Sequence, residues 1–252
     1  MLHFDALPES TAELFRRLLT LEEAQGFTLI GGTALALQTK HRESEDLDLA
    51  WTQGRLPQRQ IEKLLKSLAR DIQPKLITDQ AALLDAENDG FDLNETQQDW
   101  QIGRVKVTFF APFSQAQLDV YDRAHPLQLE QIKILDPDSV FALKSSLVLD
   151  RKTSRDLYDL WFFLDRRDRS IEDILTAMDE RKRHLSTDHL LDRLSPTTFQ
   201  LTDPGFKALL PNAPQDKESL LTAMREKVDE YRADLAYELA LAARQRDKGP
   251  SR

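Results

Sequence analysis

One stretch constrains the fold more than any other, and it reads TLIGGTALALQTKHRESEDLDLAW over residues 28–51. An apolar run up to Ile30 predicts a short buried strand, which stops at Gly31 and Gly32, where a backbone without Cβ atoms can turn sharply or approach a ligand closely. Thr33 then opens a short apolar helix. The N-terminus of a helix that follows glycines has unpaired N–H groups and a positive dipole end. We therefore expect Gly31, Gly32 and Thr33 to bind phosphate.

Two acidic residues follow within the same stretch. Polar and apolar residues alternate from Asp46 to Trp51, which predicts a half-buried strand with Asp46 and Asp48 on one face. Neighbouring carboxylates repel each other unless a cation lies between them. Carboxylate oxygens suit hard ions, and Mg²⁺ prefers one or two of them together with water and substrate phosphates. We expect Asp46 and Asp48 to bind Mg²⁺. Arg42, in the loop before them, is a candidate for contacting a triphosphate, with a solvated salt-bridging surface as the alternative.

These residues resemble motif I of the polymerase-β-type minimal nucleotidyltransferases, Gly-Gly-(Ser or Thr) followed by Asp-x-Asp, and the wording HRESEDLDL is most similar to the AbiEii/AbiGii-type toxins. The resemblance implies Mg²⁺-dependent transfer of a nucleoside monophosphate from a nucleoside triphosphate to an acceptor hydroxyl. It also implies a toxin that a separate antitoxin neutralises, and tRNA or protein as the acceptor.

A second informative stretch covers residues 138–165, where the apolar spacing predicts two helices. Lys144 lies inside the first helix, and Asp156 and Asp159 share a face of the second. Arg155-Asp156-x-x-Asp159-Leu resembles a second motif of the AbiEii family, in which Lys144 matches an upstream catalytic lysine and Asp159 a catalytic aspartate. The alternative is a helix hairpin held together by pairs between Arg151 and the aspartates.

The stretch WQIGRVKVTFFAPF, residues 100–113, predicts a hairpin that turns at Gly103 and Arg104. Many nucleotidyltransferases carry a third carboxylate on the later strand, where this chain has Thr108. A threonine is neither a charged ligand nor a base near neutral pH. A third acid, if the chemistry needs one, must therefore come from elsewhere, and Asp159 is the candidate.

The net charge of −9 argues against general affinity for nucleic acid, although a local track of Arg151, Lys152 and Arg155 could still guide RNA. The absence of cysteine excludes disulfides and thiol catalysis. No stretch has the twenty apolar residues of a membrane span, and the N-terminus has no signal-peptide pattern, so we expect a cytoplasmic protein with no membrane partner.

We expect an α/β fold with a nucleotidyltransferase core at residues 1–135, in which helices flank a small mixed sheet, and a helical C-terminal region at residues 136–252. Two rival functions stay open. One is a catalytically silent module that binds nucleotide or an antitoxin. The other is a nucleotidyltransferase for a small molecule of the aminoglycoside type.

Overall fold

The computed structural model of the protein describes residues 1–69, 71–179 and 187–247. The chain divides into two compact units, Met1–Lys144 with Lys207–Ala213, and Ser145–Phe206 with Pro214–Arg252. The sequence predicted a boundary at residue 135. The observed division lies nine residues later, and a short segment from beyond residue 200 returns to the first unit.

The described part of the first unit contains one sheet and five complete helices, and a sixth helix begins there. The helices are α1 (Glu9–Leu19), α2 (Gly31–Thr39), α3 (Gln58–Leu68), α4 (Gln80–Asn88), α5 (Gln115–Arg123) and α6 (Pro137–Leu147). The strands are β1 (Thr28–Ile30), β2 (Leu47–Ala50), β3 (Pro74–Leu76), β4 (Gln97–Ile102), β5 (Val105–Phe110), β6 (Leu127–Leu129) and β7 (Ile132–Ile134).

The seven strands form a mixed sheet in the order β3-β4-β5-β2-β1-β7-β6. β1 pairs antiparallel with β2 and parallel with β7, and β2 pairs parallel with β5. The α/β class with a mixed sheet and flanking helices is thus confirmed. This order places the two motif strands, β1 and β2, at the middle of the sheet.

Alternation along β5 shows how the sheet separates its core from its other face. Val105, Val107 and Phe109 are buried, whereas Lys106 and Thr108 between them are half-exposed. Period-two alternation is what a strand with one covered face requires. The predicted hairpin is confirmed, because Gly103 turns between β4 and β5 with a positive φ of 60°.

Two sequence interpretations differ from the structure. The second motif strand begins at Leu47, one residue after Asp46, and the helix after β1 begins at Gly31, two residues before Thr33. Helix α5 and strand β6 had no counterpart in the sequence analysis.

The second unit is helical in its described residues. Its helices are α7 (Ser154–Arg166), α8 (Ile171–Asp179), α9 (Thr187–Leu194) and α10 (Lys217–Asp247), and α6 ends within it. Helix α7 contains a continuous run of buried residues, 156–163. Among the described residues, no helix combines the length and apolar character that a membrane span needs.

Candidate active site

The end of β1 brings a helix N-terminus against a carboxylate. Gly31 has a positive φ of 68°, and a Cβ atom added there would lie 2.8 Å from Oδ2 of Asp48. A side chain at this position would therefore meet both backbone strain and the carboxylate. The glycine lets the first turn of α2 approach Asp48, so the phosphate-binding residues and a metal-binding residue that the sequence predicts lie next to each other.

Gly32 makes room for an arginine. A Cβ atom on Gly32 would lie 2.2 Å from Nη2 of Arg42, so the guanidinium lies directly against the first turn of α2. Arg42 is only 2% exposed, and its Nη1 donates to the carbonyl oxygen of Glu43 at 3.0 Å. The guanidinium thus adds its positive charge to the positive end of the helix dipole.

Thr33 joins α2 to the acidic loop through its side chain. Its hydroxyl lies 2.8 Å from the hydroxyl of Ser44 and also donates to the carbonyl oxygen of Asp46. The Thr33 side chain is buried and engaged in these contacts. Any contact of Thr33 with phosphate would then come from its backbone N–H. The same hydrogen bonds fix the backbone of Asp46 relative to α2.

The segment that returns to the first unit fastens the other side of this loop. The N–H of Glu43 donates to the carbonyl of Lys207 at 2.9 Å, and the N–H of Leu209 donates to the carbonyl of His41 at 3.0 Å. The Nζ atom of Lys207 also lies 2.6 Å from Oε2 of Glu43. More than 160 residues separate the partners, so no local pattern in the sequence could have predicted this contact.

Tyr121 of α5 lies near Asp48, and the sequence analysis did not single it out. Burial and the nearby Asp48 carboxylate raise the pKa of the Tyr121 phenol above its ordinary value. The charge of Asp48 acts on the ring, so α5 lies near the proposed metal-binding face. At neutral pH the phenol keeps its proton and can donate a hydrogen bond. Ser114, whose side chain accepts from the N–H of Gln117 at 3.3 Å, is a local N-cap signal for this helix.

A row of side chains crosses the sheet at the level of Asp48. Asp48 on β2 is paired with Thr108 on β5, and Thr108 is paired with Asp99 on β4. Residues directly opposite each other on paired strands project from the same face. The Thr108 hydroxyl donates to Oδ1 of Asp99 at 2.8 Å. A carboxylate therefore lies directly behind the position where the sequence analysis noted a missing acid.

The remaining predicted residues lie in two places. Lys144 is buried on α6, in the first unit. Asp159 lies on α7, in the second unit, and is fully buried, and its neighbour Asp156 is 6% exposed. Asp156 has local partners, since Nε of Arg151 lies 2.8 Å from its Oδ2 and the Thr153 hydroxyl donates to the same oxygen at 2.8 Å. The helix-hairpin alternative therefore accounts for Asp156.

The donor set near β2 suits a hard cation. No group of three or more His, Cys, Asp or Glu side chains within the described residues is arranged to hold a metal ion. Mg²⁺ does not need such a cage, because it keeps several waters and takes one or two carboxylates together with substrate phosphates. Asp46 and Asp48 are both half-exposed, so solvent and substrate can reach them. The residues present fit the ion on these grounds.

A separate pocket of about 1030 Å³ opens at the opposite end of the motif strands. It is lined by Gly26, Trp51 and Lys133 among others, and none of the predicted site residues line it. Trp51 is three residues beyond Asp48, roughly 10 Å along an extended strand. This pocket is therefore distinct from the face that carries Asp48.

A comparison with protein families found a match over most of the chain. A model of the family described as the nucleotidyl transferase AbiEii toxin of type IV toxin–antitoxin systems matches residues 13–246. The chain belongs to the AbiEii family. It is therefore a nucleotidyltransferase, and membership of a toxin–antitoxin family implies an antitoxin partner.

Solved structures resemble the chain at low identity. One is JHP933 from Helicobacter pylori, with 15% identity, a TM-score of 0.47, and 94% of this chain and 99% of that chain covered. Another is MenT4, a nucleotidyltransferase toxin from Mycobacterium tuberculosis, with 12% identity, a TM-score of 0.47, and 88% and 84% covered. No curated protein matches the chain. Structural similarity at this level of sequence identity does not identify the substrate or the partner of this protein.

Proposed function

We propose that the protein transfers a nucleoside monophosphate from a nucleoside triphosphate to an acceptor hydroxyl. The acceptor oxygen forms a bond to the α-phosphorus, the bond from that phosphorus to the bridging oxygen breaks, and pyrophosphate leaves. The hydroxyl proton passes to solvent. The observation that carries this proposal is the contact of Asp48 and Arg42 with the glycines of the α2 N-terminus. A carboxylate and a buried cation are thereby placed at one helix end.

In this proposal each group has a separate task. The N–H groups of Gly31, Gly32 and Thr33 bind phosphate oxygens, and Arg42 adds positive charge beside them. Asp46 and Asp48 hold Mg²⁺, which when bound would neutralise phosphate charge and orient the triphosphate. Tyr121 can donate a hydrogen bond near Asp48. The roles predicted for Lys144, which would neutralise developing phosphate charge, and for Asp159, as the third acid, stay predictions.

The test uses purified protein, each of the four α-labelled nucleoside triphosphates, Mg²⁺, and either tRNA, total protein or an aminoglycoside as acceptor. We expect label to appear on tRNA or protein, with pyrophosphate released in equal amount. Label on the aminoglycoside alone would favour a small-molecule transferase. Triphosphate binding without label on any acceptor would support the silent nucleotide-binding module and contradict the proposal.

The dependence of binding affinity on salt concentration can distinguish tRNA from the other candidate acceptors. Among the basic residues that the sequence suggested for RNA, Arg151 pairs with Asp156, and Nε of Arg155 donates to the carbonyl of Gly205 at 3.1 Å. Lys152 is exposed. We propose tRNA as one acceptor, which requires affinity that falls steeply with rising salt. Binding that does not change with salt, or no binding, would point to protein or a small molecule instead.

A further inference from the structure

Thr108 occupies a position where a carboxylate was expected, and the structure shows what its hydroxyl does there. It lies on β5 beside Asp48 on β2, with which it is paired in register. Paired strands are about 4.8 Å apart, so the two side chains are neighbours on the same face. The oxygen of Thr108 therefore lies within the same row as the proposed metal-binding carboxylate.

Asp99 fixes the direction of the Thr108 hydroxyl. Oδ1 of Asp99 accepts from Thr108 at 2.8 Å, whereas Oδ2 faces Nε2 of Gln97 and Nζ of Lys106, each at 3.4 Å. The Asp99 side chain is only 14% exposed. Both oxygens of the carboxylate thus face donors, and the one nearest β5 is directed at Thr108.

The hydrogen bond to Asp99 determines how the Thr108 oxygen can interact with groups in the site. A threonine hydroxyl has a single proton and two lone pairs, and a carboxylate can only accept. Because the Thr108 hydroxyl donates its one hydrogen bond to Asp99, the Thr108 oxygen can only accept hydrogen bonds from other groups. It therefore presents lone pairs to any hydroxyl or water that lies beside Asp48.

We propose that Asp99 is a positioning residue, which holds Thr108 so that its oxygen accepts a hydrogen bond from the attacking hydroxyl of the acceptor. The inference rests on the proposed transfer reaction. Asp99 is one strand further from Asp48 than Thr108 is, and its Oδ1 accepts the hydrogen bond of the Thr108 hydroxyl. Asp99 therefore acts through Thr108. The pair Thr108–Asp99 orients the nucleophile without a third acid at that position.

The first set of variants changes Thr108. Thr108→Val keeps the shape and removes the hydroxyl, and Thr108→Ser keeps the hydroxyl. We expect Thr108→Val to lower kcat roughly 10- to 100-fold, the scale of a misplaced reacting group, while Thr108→Ser stays within about threefold of the wild type. The affinity for a non-hydrolysable triphosphate with Mg²⁺, measured by calorimetry, should be the same in all three proteins, because the hydroxyl contacts the acceptor.

The second set changes Asp99. In Asp99→Asn the amide oxygen should face Gln97 and Lys106, which both donate, so the amide N–H₂ faces Thr108 and reverses its hydroxyl. This variant is isosteric, and a melting curve confirms that it is folded. We expect a fall in kcat similar to that of Thr108→Val, again with triphosphate affinity unchanged. Gln101→Ala, two register pairs along on the same two strands and on the same face, is the control and should keep wild-type kcat.

A double-mutant cycle decides whether the two residues act together. If Asp99 works through Thr108, the variant with both Asp99→Asn and Thr108→Val should be no slower than Thr108→Val alone. Losses that multiply would overturn the proposal, and so would wild-type kcat in Thr108→Val or Asp99→Asn. Those results would leave the transfer reaction intact, because the wild type would still label its acceptor. Absence of label with the wild-type protein would overturn the proposed function and this inference together.

Discussion

Asp46 and Asp48 are two residues apart at the start of a strand, whereas Asp156 and Asp159 are three residues apart on a helix, and both spacings favour carboxylates on a common face. The first pair is half-exposed beside a glycine-started helix, and the second is buried. Asp156 is also held by Arg151 and Thr153. Both pairs have a spacing that places their carboxylates on one face, yet the first pair is accessible to substrate and the second is buried in a packed helix.

The first prediction tests the accessible pair and has the largest expected effect. Asp48→Asn should reduce transfer by at least about 10³-fold, because a metal ligand supplies several kcal/mol of transition-state stabilisation. Asp46→Asn should act in the same direction. Melting temperature should not fall, since repulsion between the two carboxylates is relieved. Label transfer and a melting curve on each variant check both statements. Full activity in either variant would contradict the metal-binding role.

The second prediction tests the buried pair. Asp159→Asn should retain triphosphate affinity but lose transfer by a factor on the order of 100, the usual contribution of a positioned acid or base. Asp156→Asn is the matched control, because Asp156 is bound to Arg151 and Thr153 and should affect melting more than turnover. If Asp159→Asn instead melts earlier and retains turnover while folded, Asp159 has only a structural role. The two aspartate pairs would then differ in function as well as in burial.

The sequence predicted most of the elements around the accessible pair. Alternation marked β2, glycine marked the end of β1, and the turn at Gly103 and Arg104 marked the hairpin of β4 and β5. These signals are local, since each depends on side-chain period or on a turn residue.

The contacts that complete the site are not local. The bond between Thr108 and Asp99 depends on strand register, and the contact between Glu43 and Lys207 depends on where the chain returns. Neither follows from propensity or motif spacing. Strand register and chain return are decided by tertiary packing, which a pattern within one stretch does not encode. Helix α5, which carries Tyr121, was not predicted from the sequence because most of its residues are half-exposed and its apolar residues do not form a clear face.

The third prediction concerns the close contact between Gly32 and Arg42, which lies beside the accessible aspartate pair. Gly32→Ala places a methyl group 2.2 Å from Nη2 of Arg42, which is buried and has little room to move. We expect a loss of about 1–3 kcal/mol in the free energy of unfolding, the usual cost of overpacking. Weaker triphosphate binding should accompany it. Denaturant unfolding measures the first effect and calorimetry the second.

The contact with Arg42 can be isolated by a second substitution. Arg42→Ala removes the guanidinium that the new methyl group would meet, so adding Gly32→Ala to it should cost little further stability. If the two losses simply add, the contact between Gly32 and Arg42 is not the cause. Gly32 does not have a positive φ, so backbone strain is not an alternative cause of the loss.

The smallest expected effect lies at the start of α7, the helix of the buried pair. Asp203 accepts from the N–H and hydroxyl of Ser154 at 2.8 and 2.5 Å and from the N–H of Gly205 at 2.8 Å, and Nζ of Lys217 lies 3.3 Å away. Its side chain is 4% exposed. Burial alone would raise the pKa of Asp203, but these hydrogen bonds outweigh burial and hold the pKa below its ordinary value of 3.8.

A carboxyl group whose pKa is lower in the folded than in the unfolded protein stabilises the fold above its unfolded pKa, and this stabilisation is lost as pH falls through the folded pKa. Asp203→Asn should therefore lower the melting temperature by a few degrees at pH 7, roughly the effect of losing 1 kcal/mol, and the difference from the wild type should shrink below about pH 4. Asp234→Asn, at an exposed position on α10, removes the same formal charge as a control. Melting curves between pH 2.5 and 7 provide the measurement, with those limits set at roughly one unit below the ordinary aspartate pKa and at neutrality. A difference between Asp203→Asn and the wild type that stays constant with pH would show that the carboxylate of Asp203 is not what secures the start of α7.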